Sequence, residues 1–247
     1  METSFLLAVG ASFILAGFVK GVVGLGLPTV AMGLLSLVMP PVQAAALLIV
    51  PSMVTNVWQL ATGPGLAALL RRLWPLLAWT MAGTVLGGAL LPQDSGAWAV
   101  VALGVALMAY AVAGLCSWRL VVAPRHEPWL APLIGASTGL VTAATGVFVI
   151  PAVPYLQGLG LQRDALVQAL GLAFSASTVA LAASLALQGN FHLGDAQASG
   201  IALLPALGGM LAGQWLRGRI SAALFRKCFF IGLFALGLHS AIKPWLA

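Results

Sequence analysis

The chain has 247 residues, of which 61% are hydrophobic and only 6% charged, with a formal net charge of +6. Soluble domains carry roughly a quarter charged residues, so this composition excludes water as the main solvent and predicts a polytopic membrane protein. The positive balance does not point to nucleic acid, because the cationic residues fall mostly at the ends of apolar segments, where they set topology.

In chain order the apolar segments run over 4–39, 43–62, 73–91, 97–117, 129–157, 165–187, 198–216 and 226–243. The alternation of barrel strands is absent, so an all-α fold is expected. Glu2 and the lack of a basic n-region make the first segment part of the mature fold rather than a signal peptide. Two segments are too long for one crossing: at about 1.5 Å per residue, 5–39 would make a helix of about 52 Å against a hydrocarbon core of about 30 Å. Each is expected to break where glycine and threonine cluster, at "KGVVGLGLP" and "STGLVTAATG". The first then becomes a hairpin with arms of about 16 and 12 residues, too short for its bend to need to clear the membrane. Ten helical segments follow, five per half; a count of eight, with each long segment one kinked span, is the alternative. Cys116 and Cys228 lie in or beside apolar segments without metal-ligand spacing and read as small core residues.

The two breaks also reveal a repeat. "GFVKG" (17–21) aligns with "GASTG" (135–139), placing Lys20 on Thr138. Then "ALLIVPSMVT" (46–55) aligns with "ALGLAFSAST" (169–178), and "GTVLG" (83–87) with "GMLAG" (209–213), the last pair being of the small-xxx-small type. The predicted organisation is a single membrane domain with a first half over 1–117, a cytoplasmic linker over 118–128 and a second half over 129–247. Lysine and arginine placement orients the halves. Arg71 and Arg72, Arg163, and Arg217, Arg219, Arg226 and Lys227 occupy joins whose repeat partners carry no basic residue. The positive-inside rule then inverts one half relative to the other, with Arg119 and Arg125 of the linker cytoplasmic and both termini external. Lys243 is the one basic residue on the wrong side. The predicted location is a bacterial inner membrane.

Between Glu2 and Arg71 the only charged side chain is Lys20. A lysine at the bilayer centre costs about 2.5–3.5 kcal/mol on insertion scales. Either it holds an anion at the bend, with Gly21, Gly24 and Gly26 exposing backbone donors, or it snorkels to the cytoplasmic interface. Ser52, Thr55, Asn56 and Gln59 fall at i, i+3, i+4 and i+7, one helical face, just after Pro51, which frees a carbonyl. The matching face of 165–187 holds Gln168, Gly171, Ser175 and Thr178, and the second hairpin offers Ser137, Thr138, Thr142 and Thr145. Such stripes serve either as helix–helix glue or as the walls of a site, and broken helices from inverted halves are a usual construction of a transporter site. The carboxylates Glu2, Asp94, Glu127, Asp164 and Asp195 all fall in loops or at segment ends, so a proton relay has no obvious members. No nucleophile–base pair, Walker motif or metal cluster is recognisable; no enzymatic activity, cofactor or metal is expected.

With its paired elements "GFVKGVVGLGLPTV" and "GASTGLVTAATGVFVIP", the chain resembles the TauE/SafE family of sulfite exporters over roughly 10–240. The resemblance implies movement of sulfite, sulfoacetate or a related small anion across the bacterial cytoplasmic membrane. The commoner family pattern reads more like G-x-x-S-G-x-x-G-x-G-G-G; here Lys20 replaces the small hydroxyl, and Leu27 and Pro28 follow Gly26. The expected partners are that anion and the lipid bilayer, with no nucleic acid and with room for a homodimer. An uptake permease for a small organic anion and a non-transporting membrane scaffold are the other readings. A transporter requires Lys20 and the two polar faces to converge, and a scaffold does not.

Overall fold

The computed structural model describes residues 2–61, 63, 65–91, 97–116 and 121–246. Asp94 and Arg119, together with the linker residues 118–120, lie outside them. The described residues form ten α-helices: α1 (Glu2–Val23), α2 (Leu27–Leu35), α3 (Pro41–Ala61), α4 (Leu66–Leu90), α5 (Ala97–Leu115), α6 (Glu127–Thr145), α7 (Ala152–Gly158), α8 (Arg163–Leu187), α9 (Leu193–Arg217) and α10 (Ala222–Leu246). Seven of them, α1, α3, α4, α5, α8, α9 and α10, are long and apolar enough to cross a membrane. Large apolar side chains such as Leu6, Leu90, Leu187 and Ile201 are exposed over the bundle, which bilayer, and not water, can cover. The chain is an all-α polytopic membrane protein.

Close helix crossings are set by glycine. Gly17 and Gly21 of α1 lie against the backbone of Ala206 and Met210 in α9, and Gly209 and Gly213 of α9 lie against Ile14 and Phe18. Numbers rise together, so α1 and α9 run parallel. The same clasp recurs between α6 and α4, where Gly135 and Gly139 meet Leu76 and Thr80 while Gly83 meets Ala136. A Cβ at any of these positions would enter the neighbouring backbone, which is why glycine stands there. The segments that align in sequence, "GFVKG" with "GASTG" and "GTVLG" with "GMLAG", therefore clasp crosswise, each packing on the fourth helix of the other half. By contrast α3 and α8 are antiparallel, with Gly171 on Asn56 and Leu60 and Gly63 on Gln168. So are α5 and α10, with Gly104 on Gly237 and Ala241 and Gly114 on Phe230. Exchanging α1–α5 with α6–α10 returns the same set of principal pairings, including α4 with α8 and α3 with α9.

These directions gather the C-termini of α1, α3, α5 and α9 and the N-termini of α4, α6, α8 and α10 at one end of the bundle. Arg71, Arg72, Arg125, Arg163, Arg217, Arg219, Arg226 and Lys227 belong to that end, and we call it the basic face. Exposed Trp58, Trp74, Trp129 and Trp215 ring it, in the manner of an interfacial aromatic belt. Arg219 stacks on Trp215 with its guanidinium carbon 3.8 Å from the ring centroid. An ion pair between Arg72 and Glu127, 2.6 Å long, ties the start of α4 to the start of α6. At the opposite face Lys243 donates to the carbonyl of Leu37 at 3.2 Å.

Several details differ from the sequence reading. The first break falls at Gly24–Gly26, where the backbone turns left-handed at φ 84 and 103. Its arms have 22 and 9 residues rather than a near-equal division, because packing of Gly17 and Gly21 on α9 carries α1 intact past Lys20. The turn consequently lies beside Gln59, whose Nε2 donates to the Gly24 carbonyl, close to the end of α3. The second break falls at the last residue of "STGLVTAATG". Helix α6 continues through "STGLVTAAT" because its hydroxyls return to carbonyls four residues back, and it ends at Gly146 with φ 69. Helix α4 begins at Leu66, so Arg71 and Arg72 sit within its first turns and not in a join. Cys116 and Cys228 are exposed, contrary to the core placement expected of them, since both end on outward helix faces.

Candidate functional site

Lys20 is 3% exposed and does not snorkel. Its place near the end of α1 directs Nζ at the polar face of α3, where it donates to Thr55 Oγ1 at 3.0 Å and to Asn56 Oδ1 at 2.5 Å. Thr55 Oγ1 in turn donates to the Pro51 carbonyl at 2.7 Å, so this oxygen is free to accept from the ammonium. Asn56 Nδ2 donates to Thr178 Oγ1 of α8 at 3.4 Å, and Thr178 returns its proton to the Phe174 carbonyl at 2.7 Å. A chain of hydrogen bonds thus crosses the bundle from α1 through α3 to α8, joining the two halves. Thr55 and Asn56 are fully buried and Thr178 nearly so.

Two features of this chain matter chemically. Lys20 has three N–H donors, of which two are engaged. Among the described residues no carboxylate lies within ion-pair distance of it, the Arg72–Glu127 pair being at the basic face. A buried ammonium held only by neutral oxygens is an uncompensated charge, which burial makes unfavourable by on the order of several kcal/mol. An anion bearing oxygens would supply both the third acceptor and the missing charge.

The remaining sequence candidates divide. Ser52, fully buried one turn before Thr55, leaves its Oγ without a partner. Gln168 donates from Nε2 to the carbonyls of Leu60 and Gly63, both at 2.9 Å, closing the end of α3, and Gln59 fastens the turn at Gly24. Gly21 serves the α1–α9 crossing, and its amide belongs to the helical ladder. The Gly24 amide donates to the Lys20 carbonyl at 2.8 Å, so the N–H groups of Gly21 and Gly24 are already engaged, and Gly24 shapes the turn. Gly26 is the left-handed N-cap of α2 and lies against Val19. Ser175 returns its hydroxyl to Gly171. On α6, Thr138 and Thr142 bond to Ile134 and Thr138 carbonyls, while Thr145 bonds to Val141 and accepts the Val147 amide. Among the described residues no hydrogen bond joins the α6 hydroxyls to Lys20. Thr145 instead lines a cleft of about 60 Å³ at the opposite face, together with Gly146, Gly88, Ser184, Gln188 and Trp98.

One structural residue escaped the sequence reading. Pro51 has no N–H, which leaves the Leu47 carbonyl without its helical donor. Ser199 of α9 fills that gap, donating to Leu47 O at 2.7 Å and accepting from Val50 N at 3.0 Å. The proline announced an orphaned carbonyl; only the fold names its partner, across the α3–α9 contact. The described residues contain no group of three or more His, Cys, Asp or Glu side chains able to hold a metal ion.

The fold and this cluster define a polytopic helical membrane protein with a buried polar centre between two similarly packed halves. Residues 9–240 match the model of one family, described as sulfite exporter TauE/SafE, and the chain belongs to that family. Neither the curated proteins nor the solved structures yield a match. Family membership makes this a membrane transport protein.

Proposed function

We propose that the chain exports a small oxyanion, sulfite, sulfoacetate or a related organosulfonate, by alternating access across the cytoplasmic membrane of a bacterium. The observation that carries this reading is Lys20: a buried cation held by Thr55 and Asn56, with no carboxylate beside it among the described residues and one donor to spare. Ser52 and Thr178 flank it, whereas Thr138, Thr142, Thr145 and Ser175 spend their hydroxyls on carbonyls of their own helices and Gln168 closes the end of α3. The antiparallel α3–α8 and α5–α10 pairs support the inverted-repeat organisation, with the linker 118–128 between halves. The basic face is then cytoplasmic by the positive-inside rule, and both termini are external.

Direction follows from electrostatics. An inside-negative potential favours anion exit by about 2.3 kcal/mol per charge per 100 mV, and about twice that for a dianion. Export therefore needs no coupled proton, which suits spans whose described interior carries no carboxylate. The test is flux of sulfite, sulfoacetate and thiosulfate in proteoliposomes of known orientation with the potential clamped. Efflux from the basic-face side should rise as that side is made negative. Flux that runs only inward, or that needs a proton or sodium gradient, contradicts the reading and favours an uptake permease.

A further inference from the structure

Three buried hydroxyls among the described residues have no hydrogen-bond partner: those of Thr29, Ser52 and Ser240. The usual outlet for a helical hydroxyl is the carbonyl four residues back, taken here by Thr55, Thr80, Thr84, Thr138 and Thr142. Thr29 lacks that outlet because residue 25 precedes α2, in the turn between two left-handed glycines. Thr29 is fully buried in the first turn of α2. That turn is capped by Gly26, which lies against Val19, the neighbour of Lys20. Helix α2 packs against both α1 and α3. Two unpartnered, fully buried hydroxyls therefore stand on α3, which receives the ammonium, and on α2, which packs against α3 and against the helix that carries Lys20. Ser240 is at the other end of the bundle, three residues before Lys243 in the chain.

We propose that Thr29 is a further binding residue of the oxyanion site, and the one that sets its preference for a three-oxygen head group. The inference rests on the function proposed above. Lys20 offers one remaining N–H, and Ser52 and Thr29 each offer one O–H, so three donors meet three acceptor oxygens. A sulfite or sulfonate group presents three such oxygens. A carboxylate has lone pairs enough for three donors, but its two oxygens lie in one plane with the carbon and cannot place a separate oxygen opposite each donor, so it is held less well than a pyramidal three-oxygen head.

Sulfoacetate and malonate differ only by exchange of sulfonate for carboxylate and make the test. Half-saturation and relative flux are measured in proteoliposomes for the wild type, Thr29→Val and Thr29→Ser, with thermal unfolding in detergent as the folding control. Thr29→Val should raise the half-saturation for sulfoacetate about tenfold and erase the preference over malonate, while Thr29→Ser keeps both. Should Thr29→Val not fold, Thr29→Ala reads the same hydroxyl. A Thr29→Val or Thr29→Ala protein with wild-type half-saturation and preference overturns the proposal and leaves the transport function standing. A wild type that neither moves nor is thermally stabilised by sulfite or sulfoacetate overturns the transport function itself, and this inference with it.

Discussion

The two breaks in the bundle are made of similar residues and end differently. Around Gly24–Gly26 the backbone turns left-handed twice, and one turn upstream Lys20 carries more donors than a helix can absorb. Around Gly146 the chain turns left-handed once, and the hydroxyls upstream of it are taken up by carbonyls of their own helix. Glycine and threonine suffice to end a helix. A site needs a side chain whose hydrogen-bonding capacity exceeds what the local backbone consumes, and of the two breaks only the first has a buried lysine beside it among the described residues.

The sharpest way to break that comparison is to remove the odd residue from each side. Lys20→Met should lower anion flux by at least about a hundredfold, as expected for loss of a charged, buried donor. Thr138→Val, at the aligned position in the other half, should change flux by no more than about threefold, because its hydroxyl is spent on Ile134. Equal losses would mean that both hairpins contribute alike.

The next largest effect concerns the shared architecture. Gly17→Ala and Gly135→Ala each push a methyl into a partner backbone, of Ala206 and of Leu76. Each should destabilise by about 1–3 kcal/mol, read as the thermal midpoint in detergent, and by similar amounts if the two crossings are equivalent. Gly10→Ala, with nothing within 4 Å, is the control and should be neutral or stabilising. Smaller still, Ser199→Ala should cost about 1–2 kcal/mol by orphaning Leu47 O. No counterpart is expected in the second half, where Phe174 aligns with Pro51. Smallest is Glu127→Gln: the Arg72–Glu127 side chains are 38% and 17% exposed, and such a pair contributes about 0–1 kcal/mol.

Much of this was legible in the sequence for physical reasons. Apolar runs of bilayer length fix ten helical segments because lipid leaves no other way to satisfy a backbone. Lys20 and the Ser52–Gln59 face stand out because burying such groups in an apolar chain is costly without partners, and Thr55 and Asn56 do receive Lys20. What stayed hidden depends on contacts between distant parts. Gly21 reads as an exposed donor until Met210 is placed on it, and Ser199 reads as one more small residue until it meets the gap at Pro51. Where within "STGLVTAATG" helix α6 ends is not legible in the sequence, because threonine within a helix can feed its own carbonyls and so need not break it.

The central claim, that one ammonium binds the transported anion, is tested most directly by comparing wild type and Lys20→Met for sulfite efflux from oriented proteoliposomes at a clamped, inside-negative potential. The account predicts potential-driven efflux in the wild type and none above the lipid background in Lys20→Met, with a cooperative unfolding transition in detergent showing that both proteins are folded. Undiminished efflux from a folded Lys20→Met protein would contradict it.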